Sequence, residues 1–229
     1  VQVLETSNII IATGGKAREF PGLPFNGSNV IGSREAMTLP SQPSSMVIIG
    51  AGAIGVEFAY IYNAFGTEVT LVEMMPRLVP VEDDDIGDAL KKSYSRQGIK
   101  CLTDTKVIGT DNAGDSVRVT VENAKGSQVI EADICLVAIG VVPVLPGGQL
   151  PEFTDRGWIQ IGDRYETSMK GVYAIGDIAG PPWLAHTAMY EATQCVDGIF
   201  LPESTPSRVG TFPGCTYCYP EIASVGKTE

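Results

Sequence analysis

The stretch of sequence that decides the fold is MVIIGAGAIGVEFAYIYNAFG, residues 46–66, followed by EVTLVE at residues 68–73. The pattern predicts a buried strand, a glycine-rich turn, a helix and a second buried strand. Strands that alternate with helices at this spacing are typical of parallel α/β folds, because the helix returns the chain to the same edge of the sheet. We therefore predict an α/β protein built around this unit.

The turn between the first strand and the helix carries the motif G-x-G-x-x-G, formed by Gly50, Ala51, Gly52, Ala53, Ile54 and Gly55. In such a turn the first glycine permits the tight bend and the second lets a pyrophosphate approach the backbone. The third glycine lets the helix pack on the strand. The N–H groups at the start of the helix then attract phosphate. The motif predicts a Rossmann-like βαβ domain that binds a dinucleotide.

Glu73 ends the second strand, 21 residues beyond the central glycine of the motif. A carboxylate at this place accepts hydrogen bonds from the ribose hydroxyls of NAD and repels the additional phosphate of NADP. We therefore expect Glu73 to select NAD. A strand-capping role without a ligand is the alternative for this residue.

The rest of the chain adds strands of two kinds. Three alternating runs predict a three-stranded antiparallel meander at residues 106–111, 116–122 and 128–132. Two further buried strands are expected, and each ends at a glycine: residues 134–139 before Gly140, and residues 172–175 before Gly176.

Composition excludes several classes of partner. The 229 residues include 16 Lys and Arg against 27 Asp and Glu, a net charge of −11. Nucleic acids and anionic membranes are bound by clustered basic residues, so we expect neither as a partner. The longest apolar stretch, residues 134–145, is shorter than the roughly twenty residues that a bilayer requires. These features predict a soluble protein.

The histidine and cysteine content limits the chemistry of the chain. A single histidine, His186, excludes a site that needs two histidines. Five scattered cysteines in a chain too long to need disulfides indicate a reducing compartment. Cys215 and Cys218 form C-x-x-C, but no second ligand pair for zinc accompanies them, and Pro220 favours extended backbone. We expect no metal site and two incidental cysteines in a strand, with a redox role as the alternative.

Six stretches, in order along the chain, carry a resemblance to a known family: IIIATGG (9–15), VIIGAGAIGVEFA (47–59), VTLVEMMPRLVP (69–80), LVAIG (136–140), VYAIGDIAGPPWLAHTA (172–188) and CYPEIASVGKTE (218–229). The chain resembles the pyridine nucleotide-disulfide oxidoreductases, most nearly the branch that oxidises dihydrolipoamide. The resemblance implies a full-length enzyme that uses a disulfide and FAD to oxidise dihydrolipoamide to lipoamide, with reduction of NAD⁺. It also implies a homodimer and, as partner, the lipoyl domain of a 2-oxoacid dehydrogenase or glycine cleavage complex, in the bacterial cytoplasm or the mitochondrial matrix.

The resemblance further implies roles for individual residues. Beyond the glycine motif and Glu73, the residues expected to contact NAD are Glu57, Val107, Ala138, Ile139 and Gly140. The residues expected to contact FAD are Thr13, Gly14, Gly176, Asp177, Leu184, Ala185 and His186. Val141 stands where the family usually has an arginine, which removes one expected dinucleotide contact.

The family's catalytic groups are not found in this sequence, so no catalytic residue is assigned. These groups are a redox-active C-x₄-C pair and a His-Glu acid–base pair, and the second G-x-G-x-x-G of the family's FAD domain is not found either. We expect an internal segment of a longer polypeptide, which begins without Met, has no dehydrogenase activity alone and is colourless because it holds FAD weakly. The predicted segments are an incomplete FAD-domain remnant (1–40), the NAD-binding domain (41–145), a further FAD-domain segment (146–205), and a linker with the first strand of an interface domain (206–229).

Three alternatives to this interpretation stay open. The chain could derive from another reductase of the family, such as a mercuric reductase. It could be a stand-alone nucleotide-binding module that never had catalytic ends. It could also be an interaction protein that keeps the fold without a working site, in which case it would have no affinity for dinucleotides.

Overall fold

The computed structural model describes residues 2–112, 114–201 and 203–227. Val1, Ala113, Pro202, Thr228 and Glu229, which fall within the predicted segments, lie outside the described residues. The strands are β1 (Ile9–Ile11), β2 (Gly15–Ala17), β3 (Val30–Ile31), β4 (Ser45–Ile49), β5 (Glu68–Val72), β6 (Lys100–Leu102), β7 (Lys106–Asn112), β8 (Val117–Asn123), β9 (Gly126–Ala132), β10 (Ile134–Val137), β11 (Val141–Pro143), β12 (Val172–Ala174), β13 (Pro213–Thr216) and β14 (Ile222–Val225). The helices are α1 (Ser33–Ala36), α2 (Ala53–Ala64), α3 (Asp84–Arg96) and α4 (Ala185–Phe200), with one turn of 3₁₀ helix at Gly176–Ala179.

The chain folds into two compact units. The first comprises Val1–Lys16 and Val141–Phe212, and the second comprises Ala17–Gly140 and Pro213–Glu229. Residues 17–40 thus pack with the second unit. The predicted domain boundaries at residues 40, 145 and 205 stay a prediction.

The second unit is built on a five-stranded parallel sheet in the order β3-β10-β4-β5-β6. Its central strand β4 leads through the glycine turn into α2 and then into β5, as residues 46–73 predict. The carboxyl ends of β10, β4 and β5 therefore lie together at one edge of the sheet, which is where open α/β sheets bind ligands. The predicted α/β class is confirmed.

Side chains of β4 alternate between two cores, because successive residues of a strand point to opposite faces. Met46 and Ile48 pack in the core that contains α2 and α3, whereas Val47 and Ile49 pack in the core that contains β8. Strands β7, β8 and β9 form a three-stranded antiparallel sheet in that order. Burial on both faces explains why β4 is apolar from Met46 to Ile49 rather than alternating.

Strands β13 and β14 form an antiparallel hairpin in the second unit. Cys218 and Ile222 of this hairpin belong to the same core cluster as residues of α2 and α3. Tyr219 stacks on Tyr60 of α2, with ring centroids 6.5 Å apart. The Gln97 side-chain amide donates a hydrogen bond to the Tyr219 carbonyl (2.8 Å). The hairpin is therefore tied to α2 and to the end of α3 by apolar and polar contacts.

The described residues of the first unit contain one long helix and several short paired strands. Strand β1 pairs with β12 in parallel, and β2 pairs with β11. One small core surrounds Ile159, Ala174 and Ile178, and another surrounds Tyr165 and Cys195. Gly14 follows β1 and Gly176 follows β12. Because the two strands are parallel, the two turns that are predicted to contact flavin lie at the same end of the pair.

Within the described residues, no helix is both long enough and apolar enough to cross a bilayer.

Candidate cofactor sites

The glycine turn between β4 and α2 has the close packing that the motif requires. Gly50 has φ +100°, and a Cβ atom there would lie 2.5 Å from the Ala138 carbonyl oxygen. A Cβ atom on Gly55 would collide with the Gly50 carbonyl oxygen. Gly52 differs, because its φ is −71° and no atom lies within 4 Å of the place where its Cβ would stand. A side chain at Gly52 would therefore fill open space in front of α2 rather than disturb the fold.

Open space at the start of α2 suits a phosphate. The first N–H groups of any α-helix have no partner within the helix, and they carry the positive end of its dipole. Gly52 is the N-cap of α2 and offers no side chain to pair with them. These N–H groups thus remain free to bind an anion, and the turn fits a pyrophosphate.

Glu73 lies at the carboxyl end of β5 and is 8% exposed. The Ala51 N–H donates to Glu73 Oε2 (2.7 Å), and the Met75 N–H donates to Glu73 Oε1 (2.8 Å). The first of these bonds links the carboxylate directly to the glycine turn, so Glu73 stands beside the predicted pyrophosphate site. Each carboxylate oxygen has a second lone pair, which leaves capacity to accept from ribose hydroxyls.

The other predicted NAD residues also belong to the second unit. Ala138 follows β10, and its N–H donates to the Ile49 carbonyl (2.8 Å), so the Ala138–Gly140 segment adjoins the glycine turn. Val107 is half-buried against the core that contains Ile49. The hydrogen bond places the Ala138–Gly140 segment beside the carboxyl end of β4, and Val107 packs on the same core as Ile49.

Glu57 has a partner that the sequence does not reveal. It lies one turn into α2, half-buried, and its Oε1 accepts a hydrogen bond from the Tyr217 N–H of the β13–β14 hairpin (2.8 Å). One carboxylate oxygen is therefore engaged by the hairpin, and Oε2 is the oxygen available to a ligand such as a carboxamide.

The predicted FAD residues all belong to the first unit. Thr13 and Gly14 follow β1, and Asp177 follows β12. Because β1 and β12 are parallel, the two turns lie side by side: a Cβ atom on Gly15 would be 3.5 Å from Asp177 Oδ2. Gly14 has φ +74° and open space beside it. Burial raises the pKa of Asp177.

Helix α4 presents its N-terminus in the same unit. Leu184 is the N-cap, in extended conformation and without a side-chain cap, and Ala185 is the first helical residue. Ala185 and His186 are exposed. The positive end of a 16-residue helix dipole is thus accessible, which fits the electron-rich edge of a reduced flavin. Together with Asp177 and Gly14, this N-terminus gives the first unit groups that fit FAD.

The cysteines and acidic residues show no metal-binding arrangement. Among the residues that the structure describes, no group of three or more His, Cys, Asp or Glu side chains is placed to hold a metal ion. All five cysteines are free thiols, with Cys215 exposed in β13 and Cys218 buried after it. Burial raises the pKa of Cys101 to about 11 and that of Cys135 to about 12. Cysteines with raised pKa values are poor nucleophiles at neutral pH.

One buried carboxylate was missed by the sequence analysis. Glu191 lies on the buried face of α4 and is 8% exposed, and its Oε2 accepts from the Gly176 N–H (2.6 Å). Its sequence signal is the spacing of Thr187, Glu191 and Cys195, which places an acidic residue in a buried stripe. A charged residue at such a position needs a specific partner.

The family is shown by comparison with known proteins. A model of the pyridine nucleotide-disulphide oxidoreductases matches residues 2–192. The chain belongs to this family. The resemblance predicted from the six stretches is thereby confirmed, and the family is one of oxidoreductases that use FAD and NAD.

Curated members of the pyridine nucleotide-disulphide oxidoreductases are similar over almost the whole chain. The dihydrolipoyl dehydrogenase of Rhizobium etli is 42% identical over 228 residues, which cover 97% of this chain and 47% of that protein. The leghemoglobin reductase of Glycine max is 39% identical, with 99% of this chain and 44% of that protein covered. The chain thus spans about half the length of the curated relatives it matches.

Solved structures of the family have the same fold. The HOCl-induced flavoprotein disulfide reductase RclA from Escherichia coli matches with a TM-score of 0.85 at 27% identity, covering 97% of this chain and 52% of that one. LpdA from Mycobacterium tuberculosis matches with a TM-score of 0.85 at 26% identity, covering 96% of this chain and 48% of that one.

Proposed function

We propose that the chain is the NAD(H)-binding portion of a dihydrolipoyl dehydrogenase, together with part of its FAD site. The observation that carries the proposal is the hydrogen bond from the Ala51 N–H to Glu73, which joins the pyrophosphate turn to the ribose-selecting carboxylate. The 42% identity to a dihydrolipoyl dehydrogenase over 97% of the chain supports the choice within the family.

In the second unit, the turn at Gly50–Gly55 and the start of α2 would hold the pyrophosphate of NAD(H). Glu73 would accept from the ribose hydroxyls. Glu57, through Oε2, would accept from the carboxamide of the nicotinamide. Val107 and the Ala138–Gly140 segment would line the same edge of the sheet.

In the first unit, Asp177 would bind the ribityl chain of FAD, with Thr13, Gly14 and Gly176 forming the turns beside it. The N-terminus of α4, from Leu184 through His186, would face the flavin edge. The chemistry that these two cofactors supply, when bound, is transfer of an electron pair as a hydride. The protein's part is to orient them and to stabilise the negative charge that reduction creates.

For the full-length protein we propose oxidation of dihydrolipoamide, with a net balance of one dithiol and NAD⁺ giving one disulfide, NADH and a proton. The partner would be the lipoyl domain of a 2-oxoacid dehydrogenase or glycine cleavage complex, and the enzyme would be a homodimer. The compartment would be the bacterial cytoplasm or the mitochondrial matrix, since relatives occur in Rhizobium etli and in the mitochondria of Pisum sativum.

The variant Gly52→Asp tests the NAD site, because it is expected to change stability and binding in opposite directions. Asp is a favoured N-cap, so the second unit should be as stable as in the wild type or more stable. The same carboxylate would stand in the phosphate position and repel it. We expect NADH affinity to fall at least about tenfold, measured by fluorescence titration, while the urea midpoint does not fall.

The titration includes NADPH and a matched control. The wild type should bind NADPH about tenfold or more weakly than NADH, a difference of about 1.4 kcal/mol. Gly147→Asp, an exposed glycine in the first unit with open space around it, makes the same charge change and should leave NADH affinity unaltered. No binding of either nucleotide by the wild type would favour the interaction-protein interpretation instead.

A second candidate is a different reductase of the same family. It is favoured by the similarity to leghemoglobin reductase of Glycine max (39%) and to RclA of Escherichia coli (27%), whose names state other activities. Assay of the full-length protein with dihydrolipoamide, and with alternative electron acceptors such as Hg²⁺, distinguishes the two. Dihydrolipoamide-dependent NAD⁺ reduction supports the first candidate, and its absence together with NADH oxidation by another acceptor supports the second.

A further inference from the structure

Helix α4 carries an acidic residue where an apolar one is expected. Thr187, Glu191 and Cys195 are the buried residues of this helix, spaced four apart on one face. A carboxylate in a buried stripe costs free energy of desolvation unless it accepts hydrogen bonds. Glu191 therefore needs a reason to be at this position.

The partner of Glu191 is the turn that carries Asp177. The Gly176 N–H donates to Glu191 Oε2 at 2.6 Å, a short distance typical of a charged acceptor. Gly176 has φ +70°, and a Cβ atom there would lie 3.3 Å from the Ala188 Cβ of α4. The turn and the helix thus lie in close contact, and one hydrogen bond fixes the turn against the helix.

Charged and titratable groups from several parts of the first unit act on Glu191. Burial raises the pKa of Glu191 and the like charge of Asp177 adds to this, whereas the Gly176 N–H and Arg208 act in the opposite direction. Tyr165 faces Glu191 as well, and burial together with this carboxylate raises the pKa of Tyr165 to about 12. The carboxyl groups of Glu191 and Asp177 therefore influence each other, and the Gly176 N–H that binds Glu191 belongs to the residue next to Asp177.

We propose that Glu191 is a positioning residue for the FAD site, which holds the Gly176–Asp177 turn in register with the N-terminus of α4. This rests on the proposed function, in which Asp177 and Ala185 contact FAD. A single carboxylate on α4, six residues beyond Ala185, would then fix the relative placement of the two elements that meet the cofactor. The role is separate from cofactor contact, because Glu191 acts through the Gly176 N–H.

Three substitutions at Glu191 test the proposal. Glu191→Gln keeps the length and one acceptor oxygen, Glu191→Asp shortens the side chain by one methylene, and Glu191→Ala removes the acceptor. FAD affinity of the 229-residue chain, measured by equilibrium dialysis up to millimolar FAD, should be within about threefold of the wild type for Gln and at least about tenfold weaker for Ala, with Asp between. Glu203→Gln, an exposed acidic residue of the same unit, is the matched control.

A second readout does not depend on the cofactor. The Gly176 amide resonance in a ¹⁵N-labelled chain should lie downfield and exchange slowly in the wild type and in Glu191→Gln. In Glu191→Ala it should move upfield and exchange at least about tenfold faster. Circular dichroism verifies that the Ala variant keeps its helices. If the Ala variant does not fold, the Asp variant, with its expected intermediate FAD affinity, tests the proposal.

Each failure has a distinct meaning. An unchanged Gly176 amide resonance in Glu191→Ala would overturn the inference. Loss of FAD affinity in Glu191→Gln with an unaltered Gly176 amide would also overturn it, because the charge of Glu191 rather than its position would then determine FAD affinity. No FAD binding by the wild type at millimolar concentration would overturn the FAD part of the proposed function and, with it, the positioning role. NADH binding would be unaffected in that case.

Discussion

In the proposed function Glu73 would combine two tasks in one side chain, since it accepts from two backbone N–H groups and would also accept from the ribose. Its two oxygens accept from the Ala51 and Met75 N–H groups, so Glu73→Gln must turn its NH₂ group toward one of these donors. We expect the free energy of unfolding of the second unit to fall by about 1 to 3 kcal/mol, because a buried donor is left without an acceptor. The preference for NADH over NADPH should fall toward one.

Urea unfolding and paired NADH and NADPH titrations measure these two effects. Glu68→Gln, at the exposed opposite end of β5, makes the same chemical change and should alter neither. If Glu73→Gln kept the full nucleotide preference while losing stability, Glu73 would be a strand cap and the ribose assignment would be wrong.

A buried tyrosine hydroxyl joins helices α2 and α3 of the second unit. Tyr94 of α3 is fully buried, and its hydroxyl donates to the Val56 carbonyl of α2 (2.6 Å). Burial raises the pKa of Tyr94, so the hydroxyl stays protonated and remains a donor at every ordinary pH. Tyr94→Phe should lower the free energy of unfolding by about 1 to 2 kcal/mol.

Tyr217→Phe is the control for this change. Tyr217 is 70% exposed, and loss of its hydroxyl should cost less than about 0.5 kcal/mol by the same urea measurement. Equal stability of Tyr94→Phe and the wild type would show that the hydroxyl bond between α2 and α3 contributes nothing net.

Elements with strong local patterns were predictable from the sequence, and elements made by pairing were not. The α2 and β5 segments follow from an apolar run, a glycine motif and a second apolar run. Strand β3 has only two residues and exists because it pairs with β10. The contact of Glu57 with the Tyr217 N–H joins residues 160 apart in sequence, and no local pattern reports such a bond. The same holds for the bond between Glu191 and Gly176, although the buried spacing on α4 is a usable signal.

At the scale of the whole molecule, binding and catalysis should separate. The sequence holds the groups expected to bind NAD(H), but it has no C-x₄-C pair of the kind that takes up the electrons of a dithiol in this family. We expect the purified chain to bind NADH and to show no dihydrolipoamide-dependent NAD⁺ reduction above the rate without protein. A full-length relative, such as the Rhizobium etli enzyme, is the positive control. Turnover by this chain would contradict the assignment of no catalytic residue.

The first unit is assembled from two separate parts of the chain, and this sets an order of events during synthesis. Strand β1 must wait for β12, which leaves the ribosome about 160 residues later, roughly 8 to 30 s at ordinary rates of translation. Meanwhile the five-stranded sheet can close, since all its strands lie between Val30 and Val137. The nascent chain can therefore complete this five-stranded sheet before β12 is available to pair with Ile9 and Ile10 of β1.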